Sequence, residues 1–126
     1  MTDPVHDALA GLMSEHADDV AEAMDQLRSM PDHAHDAVVA ALAEHRGDQP
    51  NLARLLGEWG RPTSVPVLRN AVERGAYSLR YAAAMALAGH RDPTAAQALT
   101  ELAQSTDPDV AQMAVLALAE RKNAGR

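Results

Sequence analysis

The sequence predicts an all-α protein, a short solenoid of about eight helices in four antiparallel pairs. Three observations predict it. First, a segment repeats. Residues 61–89 read RPTSVPVLRNAVERGAYSLRYAAAMALAG, and residues 92–120 read DPTAAQALTELAQSTDPDVAQMAVLALAE. At a shift of 31 residues Pro62 falls on Pro93, Thr63 on Thr94, Leu68 on Leu99, Leu79 on Val110, Ala83 on Ala114, Ala86 on Ala117 and Leu87 on Leu118. A fixed period of this length marks a repeat architecture. Second, hydrophobic residues make up 47% of the chain, yet aromatics are only 2%, there is no Phe, and alanine dominates. Small helix formers suit closely packed helices, whereas a β-sandwich draws on Val, Ile, Tyr and Phe. Third, prolines open the apolar-periodic stretches and glycines close them.

Asp3 and Pro4 start the first helix after Thr2, as a cap and a first-turn proline. Val5, Ala8, Leu9, Leu12 and Met13 follow at helical spacing as its inward stripe. A turn is expected over residues 14–17. Asp18 and Asp19 then precede a second stripe of Val20, Ala23, Met24 and Leu27; acids suit the exposed N–H groups of a helix start. Pro31 opens the third helix, with Ala34, Val38, Ala41 and Leu42 inward, and HDAVVA at 35–40 echoes HDALAG at 6–11. A turn at residues 47–50 leads to a fourth helix marked by Leu52, Leu55, Leu56 and Trp59, ending near Gly60.

The fifth helix is expected over 62–74, burying Val65, Leu68, Ala71 and Val72, with Pro66 bending it by removing a backbone bond. The sixth is expected over 77–88, with Leu79, Ala82, Ala83, Ala86 and Leu87 inward. Asp92 and Pro93 open the seventh, with Ala96, Leu99, Leu102 and Ala103 inward. Asp107 and Pro108 open the eighth, with Val110, Met113, Ala114, Ala117 and Leu118 inward. Residues 122–126 read as a polar, frayed tail. The chain is thus read as one domain, 1–126, with repeat units at about 4–29, 31–59, 62–89 and 93–121.

The absence of cysteine excludes disulfides, thiol catalysis and cysteine-ligated zinc. No apolar run is long enough for a membrane span and the first 30 residues are rich in acids, so a cytoplasmic protein without membrane contact is expected. The net charge of −7 is uneven: residues 1–50 hold 11 acids and 2 bases, residues 51–126 hold 7 acids and 9 bases. Such a balance disfavours generic binding to nucleic acid, where phosphate contacts dominate affinity. It suits an acidic N-terminal face and a basic partner.

LLGEWGRPTSVPVL at 55–68 resembles the A-L-G-x-[apolar]-G-D-P-x-A-[apolar]-P-x-L pattern of the HEAT-like repeat family, in the form found in phycobilin lyase subunits and many bacterial HEAT-repeat proteins. LRYAAAMALAG at 79–89 resembles the V-R-x-A-A-A-x-A-L-G helix of the same repeat, and DPDV at 107–110 its D-P-x-V start. The resemblance is good over 52–121 and faint over 4–47. Arg61 replaces the family Asp, Ala111 stands where an Arg is usual, and the first two helix pairs lack the D-P-x-V-R signature. The resemblance implies a right-handed α-α superhelix whose second helices line a concave, protein-binding surface. It implies no shared chemistry, and no residue specific to a lyase is identified. Arg80 matches the family arginine, which in such repeats pairs with an acid of an adjacent loop.

No nucleophile triad, phosphate loop, dinucleotide fingerprint or H-E-x-x-H motif occurs, so neither catalysis nor a cofactor is expected. The six histidines include no H-x-x-x-H pair. His33 and His35 lie about 200° apart around a helix, so all six read as solvated and no metal is expected. Trp59, Tyr77 and Tyr81 are the only aromatics, a residue class enriched at interface hot spots; for Trp59, partial burial between repeats is the first reading and an interface role the second. Tyr77, Tyr81, Ala84, Met85 and Ala88 form a second apolar stripe on the sixth helix, and Val115 and Leu116 occupy the positions of Ala84 and Met85 on the eighth. The candidate protein-binding residues are therefore Trp59, Tyr77, Arg80, Tyr81, Met85, Gln112, Val115 and Leu116. The expected function is a non-catalytic protein-interaction module, a scaffold, adaptor or inhibitor, with a homodimer through the last helix as one expected assembly. The alternative is an accessory subunit of a modifying enzyme, as in the lyase-like relatives; a nucleic-acid-binding relative ranks below both.

Overall fold

The computed structural model describes residues 3–124. Among them the chain forms eight α-helices and no strand: α1 Pro4–Gly11, α2 Ala17–Arg28, α3 Pro31–Ala43, α4 Gln49–Trp59, α5 Val65–Arg74, α6 Tyr77–Gly89, α7 Pro93–Leu102 and α8 Pro108–Ala124. Each odd-numbered helix packs on the even-numbered helix that follows it. The odd helices stack α1 on α3, α3 on α5 and α5 on α7, and the even ones α2 on α4, α4 on α6 and α6 on α8. Two helical layers therefore share one core, the all-α solenoid the repeat demands. No described helix is long and apolar enough to cross a membrane.

Local chemistry sets the ends. Asp3 accepts from the Val5 N–H at 2.9 Å, Asp48 from Asn51 at 3.4 Å and Asp92 from Thr94 at 2.9 Å, each relieving an orphan donor. The Asp92 carboxyl is held below its usual range, chiefly because the Thr94 hydroxyl and N–H both donate to it. Gly60 closes α4 at φ 63°, a left-handed position that glycine takes without a Cβ penalty. The end of α3 uses His45 at φ 58° instead, with Arg46 N–H bonded to Ala41 O at 2.8 Å.

Several expectations are corrected. Residues 62–64 form a 3-10 turn, and α5 begins at Val65. Pro66 thus sits in the first turn, where its missing N–H has no partner to lose. Met13 is 62% exposed, because α1 ends at Gly11 and the chain turns before Met13 can face the core. On α7 the buried alanines are Ala95 and Ala98, while Ala96 and Ala103 are half-buried. Leu9, Val20, Ala82, Met113 and Leu118 are also only partly buried. Residues 122–124 continue α8 rather than fray. Thr2 and the last two residues of the expected tail lie outside the described residues.

The core is leucine and alanine. Leu27, Leu52, Leu55, Leu56, Leu68, Leu87 and Leu99 are fully buried, and Ala53, Ala83, Ala84, Ala95, Ala114 and Ala117 are equally inaccessible between helices. Close approach is most marked where α4 meets α6: a Cβ on Gly57 would lie 2.7 Å from the Ala86 Cα.

Polar contacts between successive helix pairs recur at separations close to the repeat length. Arg28 grips Glu58 with Nε at 2.7 Å and Nη2 at 3.2 Å. Arg61 pairs with Asp32, and Arg69 with Glu101. Arg91 donates to Trp59 O at 2.8 Å, and Arg121 to the carbonyls of Leu87 and Asp92, both at 3.1 Å, and of His90. These partners lie between 29 and 34 residues apart. A contact repeated at that spacing ties each pair to the next.

Candidate functional site

Tyr77, Tyr81 and Met85 are four residues apart on α6. With 3.6 residues per turn they form one row along its outer surface. On α8 the spacing of Asp109, Gln112, Met113 and Leu116 makes a second row. Because α6 and α8 pack side by side, the rows face each other across a groove of about 520 Å³, completed by Gly75 and Arg80. Tyr77 is 78% exposed, Tyr81 55% and Leu116 57%. Among the described residues five large hydrophobics are exposed, namely these three, Val115 and Met13, so four of the five belong to α6 and α8. Apolar side chains gathered in one groove mark a binding surface, whereas scattered ones do not.

Arg80 braces this groove. Its Nε donates to Gly75 O at 2.8 Å and its Nη2 to Glu73 O at 3.2 Å, while Nη1 stands 3.8 Å from the Asp107 carboxylate. One side chain thus joins the end of α5, the start of α6 and the loop before α8.

Six of the eight candidates line this groove: Tyr77, Arg80, Tyr81, Met85, Gln112 and Leu116. Trp59 does not. It is 7% exposed and packs against His35 at a ring-centroid distance of 6.1 Å, so it is a core residue and cannot touch a partner. The physical reason is its register. Trp59, His90 and Arg121 stand 31 residues apart at the ends of α4, α6 and α8, and at this position Trp59 turns in against His35 of α3, the other helix of its own pair. Val115 is exposed but lies beyond the groove. Ala86 contacts Gly57 of α4, and Ala84, about 200° away around α6, faces α8 and is fully buried. Val115 occupies the equivalent position on α8, and no described residue packs there. The apolar stripe is accordingly split, with Ala84 and Ala88 in the core and Tyr77 and Tyr81 outside. Asp109 and Met113 were missed. Their signal was available, since the 31-residue shift sets Gln112 on Tyr81 and Leu116 on Met85, and Asp109 and Met113 share that face.

The groove is not isolated. It shares Tyr81 and Met85 with a second groove of about 360 Å³ between α4 and α6. That one shares Asn51 and Arg54 with a third, about 560 Å³, between α2 and α4. Each holds charges of both signs: Asp25, Arg28 and Arg54 in the third, Arg54 and Glu58 in the second, Arg80 and Asp109 in the first. The acidic excess lies elsewhere. Asp7, Asp19 and Glu22 line a depression between α1 and α2 that contains no basic residue.

Two histidines are not solvated as expected. His35 is 2% exposed, with Nδ1 3.3 Å from Asp36 and no partner for Nε2. His90 is 1% exposed, with Nε2 2.9 Å from Ser64 Oγ and 3.1 Å from Arg61 O. Burial pushes its imidazole below the usual histidine range, against the pull of the Arg61 carbonyl. His33, two residues from His35, is exposed on another face of α3.

The family model for HEAT repeats matches residues 36–119. Among solved structures, the complex of CpcE and CpcF of phycocyanin lyase from Nostoc sp. PCC7120 is similar at a TM-score of 0.57 and 29% identity, over 94% of this chain and 54% of that one. The chain thus spans about half the length of that neighbour. Among curated proteins none matches.

Proposed function

Since the chain belongs to the HEAT-repeat family, we propose that it is a non-catalytic protein-interaction module that binds its partner in the α6/α8 groove. The observation that carries this reading is the convergence of Tyr77, Tyr81 and Leu116 on one braced groove while the rest of the apolar surface is buried or dispersed. Tyrosine offers large contact area at low entropy cost, and methionine adapts to a varied surface. Within this reading the repeat units are 4–29, 31–59, 62–89 and 93–121, which the polar contacts at 29 to 34 residues support.

Capture from native lysate with wild-type protein and with Tyr81→Ala/Leu116→Glu, read by mass spectrometry, tests it. A protein retained by the wild type and lost by the variant is expected. Identical retention by both sinks the groove reading.

A second reading is favoured by the likeness to the CpcE–CpcF complex: the chain is an accessory subunit of a modifying enzyme. It predicts that the captured partner is an enzyme or a second helical-repeat chain. The acidic depression of Asp7, Asp19 and Glu22 supports an additional, basic partner. Recovery of such a partner falls steeply with salt.

A further inference from the structure

We infer that the α6/α8 groove accepts a second copy of this chain, as a two-fold dimer. The inference rests on the groove reading above and names its occupant. Three observations carry it.

The groove is self-complementary in charge. It holds one cation, Arg80, and one anion, Asp109, which forms no ion pair among the described residues. A two-fold contact repeats every pairing, i on j and j on i. Arg80 of each copy then meets Asp109 of the other, and the groove needs no partner of opposite net charge. Arg80 Nε and Nη2 are fixed on the Gly75 and Glu73 carbonyls, so it is Nη1, 3.8 Å from Asp107 on a side chain 24% exposed, that can turn to a second carboxylate.

The groove is also self-complementary in shape. The same surface supplies a cleft and, beside it, an apolar ridge. Val115 is 54% exposed on the flank of α8 turned away from α6, next to Leu116. The equivalent residue of α6, Ala84, is buried by α8. A second copy laying its Val115–Leu116 ridge along the cleft covers both at once. Side by side, α6 and α8 offer a footprint about 25 Å long and about 20 Å wide, about 1,000 Å² over two copies, the threshold for a specific interface and the size of a weak, reversible one.

The long-range field selects this face. Each copy carries a charge of −7, with its excess of acid in residues 1–50. Copies therefore repel in most orientations. Contact through α6 and α8 keeps the depression of Asp7, Asp19 and Glu22 on α1 and α2 at the far end of the stack.

Sedimentation equilibrium over micromolar concentrations tests the inference, with helical circular dichroism confirming that each variant is folded. The wild type is expected to pass from monomer to dimer, and the dimer to strengthen with salt as repulsion is screened. Leu116→Glu and Asp109→Arg, the latter setting Arg against Arg80, are each expected to weaken it about tenfold or more. Met13→Glu, at the exposed hydrophobic in the turn after α1, leaves it unchanged. A wild type that stays monomeric throughout, or a dimer indifferent to Leu116→Glu, overturns the inference. Either result leaves the groove reading standing if lysate capture still depends on Tyr81 and Leu116, so the two failures are distinguishable.

Discussion

His90 Nε2 lies 2.9 Å from Ser64 Oγ, and both residues are buried. The pair joins two connections rather than activating the serine. The Asp92 N–H donates to His90 Nδ1 at 3.2 Å, so the ring proton is on Nε2 and points at the Arg61 carbonyl at 3.1 Å, while Ser64 itself donates to Arg61 O at 2.8 Å. A histidine in this tautomer has no lone pair on Nε2 with which to take the serine proton. The contact clips the loop after α4 to the loop after α6.

This clip is pH-dependent. Burial lowers the folded-state pKa of His90 below the ordinary value. The unfolded chain then binds more protons, so stability rises with pH. His90 contributes fully above the unfolded value, about 6.5, and its contribution is lost as pH falls from there through the folded value. Protonation also removes the Nδ1 acceptor that Asp92 uses. Melting temperatures measured from neutral pH downward should fall more steeply for wild type than for His90→Gln; parallel curves would count against the assignment.

Gly57→Ala should destabilise the protein by about 1–3 kcal/mol. Its Cβ would meet the Ala86 Cα at 2.7 Å and the Ala86 carbonyl oxygen at 2.9 Å, neither of which can swing aside as a side chain can. On an isolated helix the same change is stabilising. A denaturant midpoint at or above wild type would show that α4 and α6 have room to part.

Trp59→Ala should cost about 3–5 kcal/mol as a large-to-small core change. Trp59→Phe should cost less than about 1.5 kcal/mol, because the Trp59 Nε1 is buried without a partner and phenylalanine removes that orphan donor. Urea unfolding of the two variants decides whether Trp59 is packing or, if Trp59→Ala is neutral, surface.

The arginine contacts are unequal. Arg69 and Glu101 are 39% and 45% exposed, so Glu101→Gln should change stability by less than about 1 kcal/mol. Arg121 serves three carbonyls at the end of α6 and the start of α7. Arg121→Ala leaves them unserved and should cost about 1–3 kcal/mol. Equal effects on thermal unfolding would refute this ranking.

The helices were legible because the forces that make them are local. Asp3, Asp48 and Asp92 cap within three residues, and Leu52, Leu55 and Leu56 share a face by helical geometry alone. The 31-residue shift then paired the helices, since equal sequence at equal spacing packs in equal ways. Much of the groove was legible for the same reason: Tyr77, Tyr81 and Met85 form a row on any helix.

What one helix cannot encode is which neighbour lies beyond it. Ala84 and Val115 hold one register, yet the first is buried and the second 54% exposed, because α8 covers α6 and no described element covers α8. Trp59 and Tyr81 are both aromatic, and only the packing of α3 against α4 sends Trp59 inside. His35 and His90 are polar residues placed in the core by contacts with residues distant in sequence, such as Trp59 and Arg61. The sequence by itself determined the helices, their pairing and the repeat. The tertiary structure decided which apolar faces are core and which stay open, because burial is a property of neighbours brought together by the fold rather than of the residue or its helix.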